Sequence, residues 1–150
     1  MNLKAFLVKN KIPFEFIEKK STHHSNEASA ATGIPVSRLM KTLVFVDDES
    51  KPVIAIVMGN DDVSRHRLQQ AAGKKSVKIA PENFAEHATG YPTGGIPPFG
   101  HRKRFRTFID RKVLENKDVW CGGGCRTKLV KLRTSDILKF TDSAVCDISV

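Results

Sequence analysis

Lys41 opens an apolar run, Lys41-Thr-Leu-Val-Phe-Val46, and half a chain later comes Thr89-Gly-Tyr-Pro-Thr-Gly-Gly-Ile-Pro-Pro-Phe-Gly-His101. These two segments are the first candidates for chemistry. A lysine at the start of a strand can hold an anion or polarise a carbonyl. The later segment places four glycines and three prolines in 13 residues. Its shape is therefore set by backbone: glycine permits close approach and positive φ, and proline stiffens the rest. Such a loop presents bare N–H groups to a phosphate or a carbonyl oxygen. A lysine facing a backbone-lined pocket suits ester chemistry next to a phosphate.

Further segments carry reactive or ligand-binding residue types. Pro97 and Pro98 lack an N–H, which leaves Gly94, Gly95 and Ile96 as the donors of the loop. Without a ligand, the same stretch reads as a rigid surface turn. Gly122-Gly123-Gly124 lets another backbone come very close, or lets a ligand rest on the peptide planes; it also reads as a hairpin turn. In Thr22-His23-His24-Ser25, the two histidines can carry protons at neutral pH or simply sit in solvent. Arg102, Lys103, Arg104 and Arg106 put four cations within five residues directly after the loop. That run is placed for phosphates, or is a solvated strand edge.

Other chemistries find no support. Cys121, Cys125 and Cys146 are three, and with no secretion signal they read as reduced thiols. Cys121 and Cys125 straddle the triple glycine, but no further pair completes a zinc set, and His66, His87 and His101 are scattered. No metal and no organic cofactor is expected. No phosphate-binding P-loop, dinucleotide fingerprint or Ser-His-Asp order is present. The net charge of +9, from 25 Lys and Arg against 16 Asp and Glu, points to a polyanionic partner. No apolar stretch approaches the ~20 residues that cross a bilayer, and the first residues lack a signal peptide's apolar centre, so a cytoplasmic chain is expected.

Elements must position these residues. Leu3, Phe6 and Leu7 predict a helix over 2–10, and Phe14–Ile17 a strand. Ser25 is expected to cap a helix through Ala31 that Gly33 stops. Pro35 starts a short helix ending near Met40. Thr42–Val46 and Val53–Met58 form a hairpin, with Lys41 on the face of Leu43 and Phe45. Asp61 or Asp62 caps a helix over 63–72, and Val77–Ala80 is a short strand. Pro81 begins a helix to about His87, and Arg104–Ile109 is a strand. Val119–Cys121 and Leu129–Leu132 are strands around the triple glycine. Thr134 or Ser135 caps a helix to Phe140, and Ala144–Ile148 is a closing strand. Helices and strands mix without βαβ alternation. This favours one α+β domain over 1–150 with a largely antiparallel sheet.

Lys41-Thr42-Leu43, the Thr89-Gly90-Tyr91 approach, the Gly94-x-x-x-Pro98 loop and the Gly122–Gly124 run resemble, in order and spacing, the YbaK-like aminoacyl-tRNA editing domains. Members of that family are free-standing or inserted into prolyl-tRNA synthetase, and they include deacylases of Cys-tRNA(Pro) and Ala-tRNA(Pro). The resemblance runs from about Leu3 to the C-terminus. It implies a curved, barrel-like mixed sheet flanked by helices. It also implies a trans-editing hydrolase that cleaves the ester between a wrongly attached amino acid and the 3′-terminal adenosine of a tRNA. Lys41 then holds the terminal phosphate or ribose, and the N–H groups of Gly94, Gly95 and Ile96 bind the ester carbonyl. Thr22, Ser25, Pro98, Gly122, Gly123 and Gly124 line the substrate, and Tyr91 either stacks on the adenine or packs. Arg102, Lys103 and Arg104 hold neighbouring tRNA phosphates. The partners implied are a mischarged tRNA and an aminoacyl-tRNA synthetase. The alternative is a non-catalytic aminoacyl- or nucleotide-binding module, or a synthetase-associated regulatory module, of the same fold. The chain departs from cysteine-removing members at Lys19, where they have a tyrosine, and at Lys128 or Leu129, where they have an acid.

Overall fold

A computed structural model describes residues Met1–Val150. Five helices and eight strands form two separate sheets. The helices are α1 (Leu3–Lys9), α2 (Ser25–Thr32), α3 (Arg65–Ala72), α4 (Glu82–Thr89) and α5 (Thr134–Lys139). The strands are β1 (Glu15–Glu18), β2 (Met40–Asp47), β3 (Pro52–Met58), β4 (Val77–Ile79), β5 (Arg106–Asp110), β6 (Asp118–Gly122), β7 (Lys128–Arg133) and β8 (Asp142–Cys146). The mixed α+β class is as expected, but no barrel closes. One sheet has the order β1-β7-β6 and the other β4-β2-β3-β5-β8. Pairing is antiparallel except that β5 runs parallel to both β3 and β8.

The β2–β3 hairpin is the centre of the molecule. Its register pairs Met40 with Met58 and Val46 with Pro52. Both of its faces are buried, which explains the near-continuous apolar runs in these strands. On one face Met40, Val44, Ile54, Ile56 and Met58 pack against Val119, Cys121, Val130 and Leu132 of the smaller sheet, with Leu3 and Leu7 of α1. On the other, Phe45, Val53, Ala55 and Val57 pack against Leu68 of α3, Val77, Phe108 and Ile148. Lys41 lies at the β2 end of this second face, beside Leu43 and Phe45, as its spacing predicts.

Several element ends differ from expectation, each for a local reason. His24, not Ser25, is the N-cap of α2, because the Glu27 carboxylate reaches back to accept from its N–H at 3.0 Å. Ser64, not Asp61 or Asp62, caps α3 by accepting from the Arg67 N–H at 3.2 Å. After Pro35 only one 3-10 turn forms, Val36–Arg38, since Met40 is already committed to pairing with Met58. The closing strand starts and ends earlier, at Asp142–Cys146.

Candidate active site

A cavity of about 620 Å³ opens between the start of β2, the segment before α2, the N-terminal part of α4 and the 89–101 loop. Its walls are mixed. Leu39, Met40, Val44, Ile79, Ile96 and Leu129 give it an apolar floor. Lys19, Lys41, Thr22, Thr42, His23 and Glu82 supply polar groups. This is the usual make-up of a small-molecule site: apolar surface with a few convergent polar groups. Glu82 is the one acidic residue in the lining, against two lysines.

Lys41 is held at the cavity edge by the hairpin end. Its Nζ lies 3.5 Å from the Gly59 carbonyl and 3.8 Å from Asp62 Oδ1. Asp62 is 90% exposed, so this pair is water-screened and leaves the ammonium free for another anion. One residue on, the Thr42 hydroxyl is buried on the opposite face without a hydrogen-bond partner.

The loop faces the cavity through Gly94 and Ile96. The Gly95 N–H donates to the Pro92 carbonyl at 3.0 Å. Gly95 is therefore not the third donor that the sequence suggested; its proton is spent on closing the turn. The Gly94 and Ile96 N–H groups have no protein acceptor. Gly94 has φ +85°, a conformation that L side chains rarely adopt.

The glycine turn explains how the loop is held. A Cβ on Gly122 would stand 2.7 Å from the Gly95 carbonyl carbon and from Ile96 O. A Cβ on Gly95 would stand 2.6 Å from the backbone of Cys125. The two segments cross backbone against backbone, and the Gly124 N–H donates to Gly95 O at 2.8 Å. Only Gly122 of the three reaches the cavity. Gly123 instead donates to the Lys128 carbonyl.

Tyr91 does not line the cavity. Its ring is buried in the core, its hydroxyl donates to the Gly100 carbonyl at 3.0 Å, and burial pushes its pKa up to about 12. Of its two expected roles, the geometry matches packing. Pro98, Lys103 and Arg104 line a different, smaller cleft of about 210 Å³ with Phe6, Phe105 and Phe140. Arg102 turns back to α4 and donates to the His87 carbonyl at 3.0 Å. His101 is enclosed, its Nε2 2.6 Å from Pro97 O, and burial lowers its pKa.

Thr22, Ser25, His23 and His24 all line the cavity. The neighbours that sequence reasoning missed come from remote segments. Lys19 Nζ donates to the Thr22 hydroxyl and the Arg126 carbonyl. Burial lowers its pKa, against the opposing pull of Cys125 and Glu27. Arg126 donates from Nε to Thr93 O at 2.7 Å and from Nη2 to Thr93 Oγ1 at 3.1 Å, bracing the loop from behind. Glu82 opens α4 and is 3.0 Å from His23. Apart from the Lys19–Thr22 bond, nothing local in the sequence marks these roles, because the other contacts each join residues tens of positions apart. Cys121 is a core residue whose thiol burial pushes up, and no three His, Cys, Asp or Glu side chains converge to hold a metal ion.

Backbone donors without protein acceptors at a cavity wall, with a lysine at its edge, are groups able to hold a carbonyl beside an anion. Family comparison agrees in class. Residues 19–140 match the aminoacyl-tRNA editing domain, and the chain belongs to that family. The chain is 27% identical over 151 aligned positions to Enterococcus faecalis EbsC, provisionally named a Cys-tRNA(Pro)/Cys-tRNA(Cys) deacylase, covering 99% of this chain and 92% of the relative. It is 31% identical over 112 residues to the proline–tRNA ligase of Geobacter metallireducens, covering 75% of this chain but only 19% of the ligase. Among solved structures, the hypothetical protein APE2540 superposes with a TM-score of 0.89 at 26% identity, covering 99% of both chains. A provisionally assigned trans-editing enzyme for prolyl-tRNA synthetase superposes at 0.81 and 26% identity, covering 91% of this chain and 87% of its own.

Proposed function

We infer that this chain is a trans-editing aminoacyl-tRNA deacylase, an ester hydrolase acting as one editing domain over 1–150. The observation that carries the reading is the cavity: the Lys41 ammonium at its edge, and the unpaired Gly94 and Ile96 N–H groups on its wall. The aminoacyl end of a mischarged tRNA enters from the Lys41 side. Lys41 holds the terminal phosphate or ribose. The ester carbonyl lies against the Gly94 and Ile96 N–H groups, which strengthen their hydrogen bonds as negative charge builds on the oxygen. Water attacks, and the 3′-oxygen leaves. An aminoacyl ester is already activated, so fixing it beside water supplies much of the acceleration.

The amino-acid side chain rests among Thr22, Ser25 and the apolar floor, beside Gly122. Lys19 lines this cavity, as does Leu129, one of the two positions open for the second departure, and this supports an effect of the departures from the cysteine-removing pattern on amino-acid choice. Arg102, Lys103 and Arg104 are exposed and lie outside the cavity. In this reading they meet phosphates further along the acceptor stem. The partners are a mischarged tRNA and the synthetase that charges it, in the cytoplasm. No helix is long and apolar enough to cross a membrane.

The test is deacylation by the full chain across a panel of correctly and wrongly charged tRNAs. Turnover of one or more mischarged species, with cognate species spared, supports the hydrolase. Tight binding of the same species without turnover would instead establish the non-catalytic module.

A further inference from the structure

Three formally charged residues line the cavity: Lys19, Lys41 and Glu82. Two of them face a partner. Lys41 Nζ is 3.8 Å from Asp62 Oδ1, and Glu82 Oε1 is 3.0 Å from His23 Nε2. Lys19 has no acidic partner. Its ammonium meets only neutral oxygens: the Thr22 hydroxyl, the Arg126 carbonyl and, at 3.5 Å, the Lys20 carbonyl. Glu27 of α2 acts on it only from a distance, because that carboxylate accepts from the His23 and His24 N–H groups. Arg126 adds a second cation to this end of the site, and its guanidinium donates to Thr93 alone.

The Lys19 ammonium is not needed as a brace. The Lys19 N–H donates to the Thr127 carbonyl at 2.9 Å and the Thr22 N–H to the Arg126 carbonyl at 3.1 Å. Two main-chain bonds therefore already tie this segment to residues 126–127. Burial lowers the Lys19 pKa. Water has been taken from an ammonium that received no counter-charge, a cost that an incoming anion offsets. Its place in the wall also matters. His23, the residue after Thr22, abuts the loop: a Cβ on Gly94 would stand 3.0 Å from the His23 Cα and carbonyl oxygen. The ammonium, tied to Thr22, thus shares a stretch of wall with the Gly94 N–H.

We propose that Lys19 is the specificity-determining residue of this site and that the amino acid removed carries a side-chain carboxylate, aspartyl or glutamyl, which pairs with the Lys19 ammonium. This rests on the deacylase reading above. With the ester oxygen on the loop N–H groups, the side chain runs along the wall past Thr22. One carboxylate oxygen replaces the long Lys20 contact and accepts a charge-assisted hydrogen bond. The Thr22 hydroxyl accepts from Lys19 and keeps its own proton to donate to the other oxygen. The isosteric amides, asparagine and glutamine, offer one neutral oxygen and an NH₂ that the ammonium repels, so they are held less well.

The test charges one tRNA body, that of the best panel substrate, with aspartate, asparagine, glutamate, glutamine or alanine. Deacylation by the full chain is measured as kcat/KM, corrected for spontaneous hydrolysis, for wild type, Lys19→Met, Lys19→Arg and Lys19→Glu. In wild type at least one acid should exceed its own amide by about 10- to 100-fold, the difference one hydrogen bond between charged groups makes. Lys19→Met should collapse that ratio, Lys19→Arg should keep it above one, and Lys19→Glu should invert it. A structural role would slow all five esters alike and leave the ratio standing; that result would overturn the proposal. So would a wild-type ratio at or below one for both pairs. If no Lys19 variant folds, the ¹⁵Nζ resonance of Lys19 in wild type decides. It should move on adding amide-linked 3′-aspartyl- or 3′-glutamyl-adenosine and not with the amide counterparts, and an unmoved resonance would also overturn the proposal. A wild type that deacylates no mischarged tRNA removes the deacylase reading and this proposal together. One that deacylates other species but neither acid removes the proposal alone.

Discussion

Lys41 stands at a strand end with 26% of its side chain exposed, and its one acidic neighbour is water-screened. Its charge is thus available to substrate without breaking a buried ion pair. Lys41→Ala should therefore leave the thermal melt near that of wild type while lowering the single-turnover rate by on the order of 10²–10³, the loss expected for one charge-stabilising group. A near-normal rate would remove Lys41 from the mechanism. The lysine was legible in the sequence because it begins an apolar strand, where a cation needs a reason. Lys19 was not read as a cavity residue. It is one of several lysines in a polar stretch, and its place becomes visible only when Arg126, 107 residues on, brings a carbonyl to its ammonium. Tyr91 carried two readings because a lone tyrosine before a proline fits a surface stack as well as a core. The Gly100 carbonyl that receives its hydroxyl lies within the same loop, yet only the fold of that loop brings the two together.

At the scale of elements, the site is a backbone crossing. The 92–96 turn lies across the end of β6, and both contact points are glycines because each would-be Cβ falls under 3 Å from main-chain atoms. Main chain cannot rotate away as a side chain can. Gly122→Ala should cost about 1–3 kcal/mol of stability from overpacking. It should also reduce deacylation beyond that loss, because pushing back Gly95 and Ile96 moves the Gly94 and Ile96 N–H groups off the carbonyl. Melting temperature and single-turnover rate, measured on the same preparation, check this; a stable variant of full activity would show that the crossing does not set the donors. The β2–β3 hairpin was readable from its two apolar runs and the polar turn between them. Helix caps were off by one to three residues where a neighbouring side chain decided the matter, as Glu27 does at His24 and Ser64 does at α3. The second sheet was not separable in advance. Of the two strands around the triple glycine, β7 pairs with β1, more than 100 residues earlier, and no local pattern encodes that register.

At the scale of the molecule, the net charge of +9 and the exposed cations after the loop make an electrostatic approach surface for a polyanion. tRNA binding should weaken steeply with salt. The Arg102→Ala, Lys103→Ala, Arg104→Ala triple variant should shallow the log–log slope by about 0.7 to 0.9 per lost phosphate contact. It should still hydrolyse pre-bound substrate at nearly the wild-type rate, since these residues position the tRNA and lie outside the cavity. An unchanged slope would assign the run to a solvated face. The central claim is narrower: the ester lies in the Lys41 cavity with its carbonyl on the loop N–H groups. Titrating the ¹⁵N-labelled chain with a non-hydrolysable, amide-linked 3′-aminoacyl-adenosine tests it residue by residue. The account predicts that the Gly94 and Ile96 amide resonances shift downfield and become protected from exchange, with Thr22 and Lys41 also perturbed. Perturbations confined to Phe99, Lys103 and Arg104 around the smaller cleft, with Gly94 and Ile96 unmoved, would contradict it.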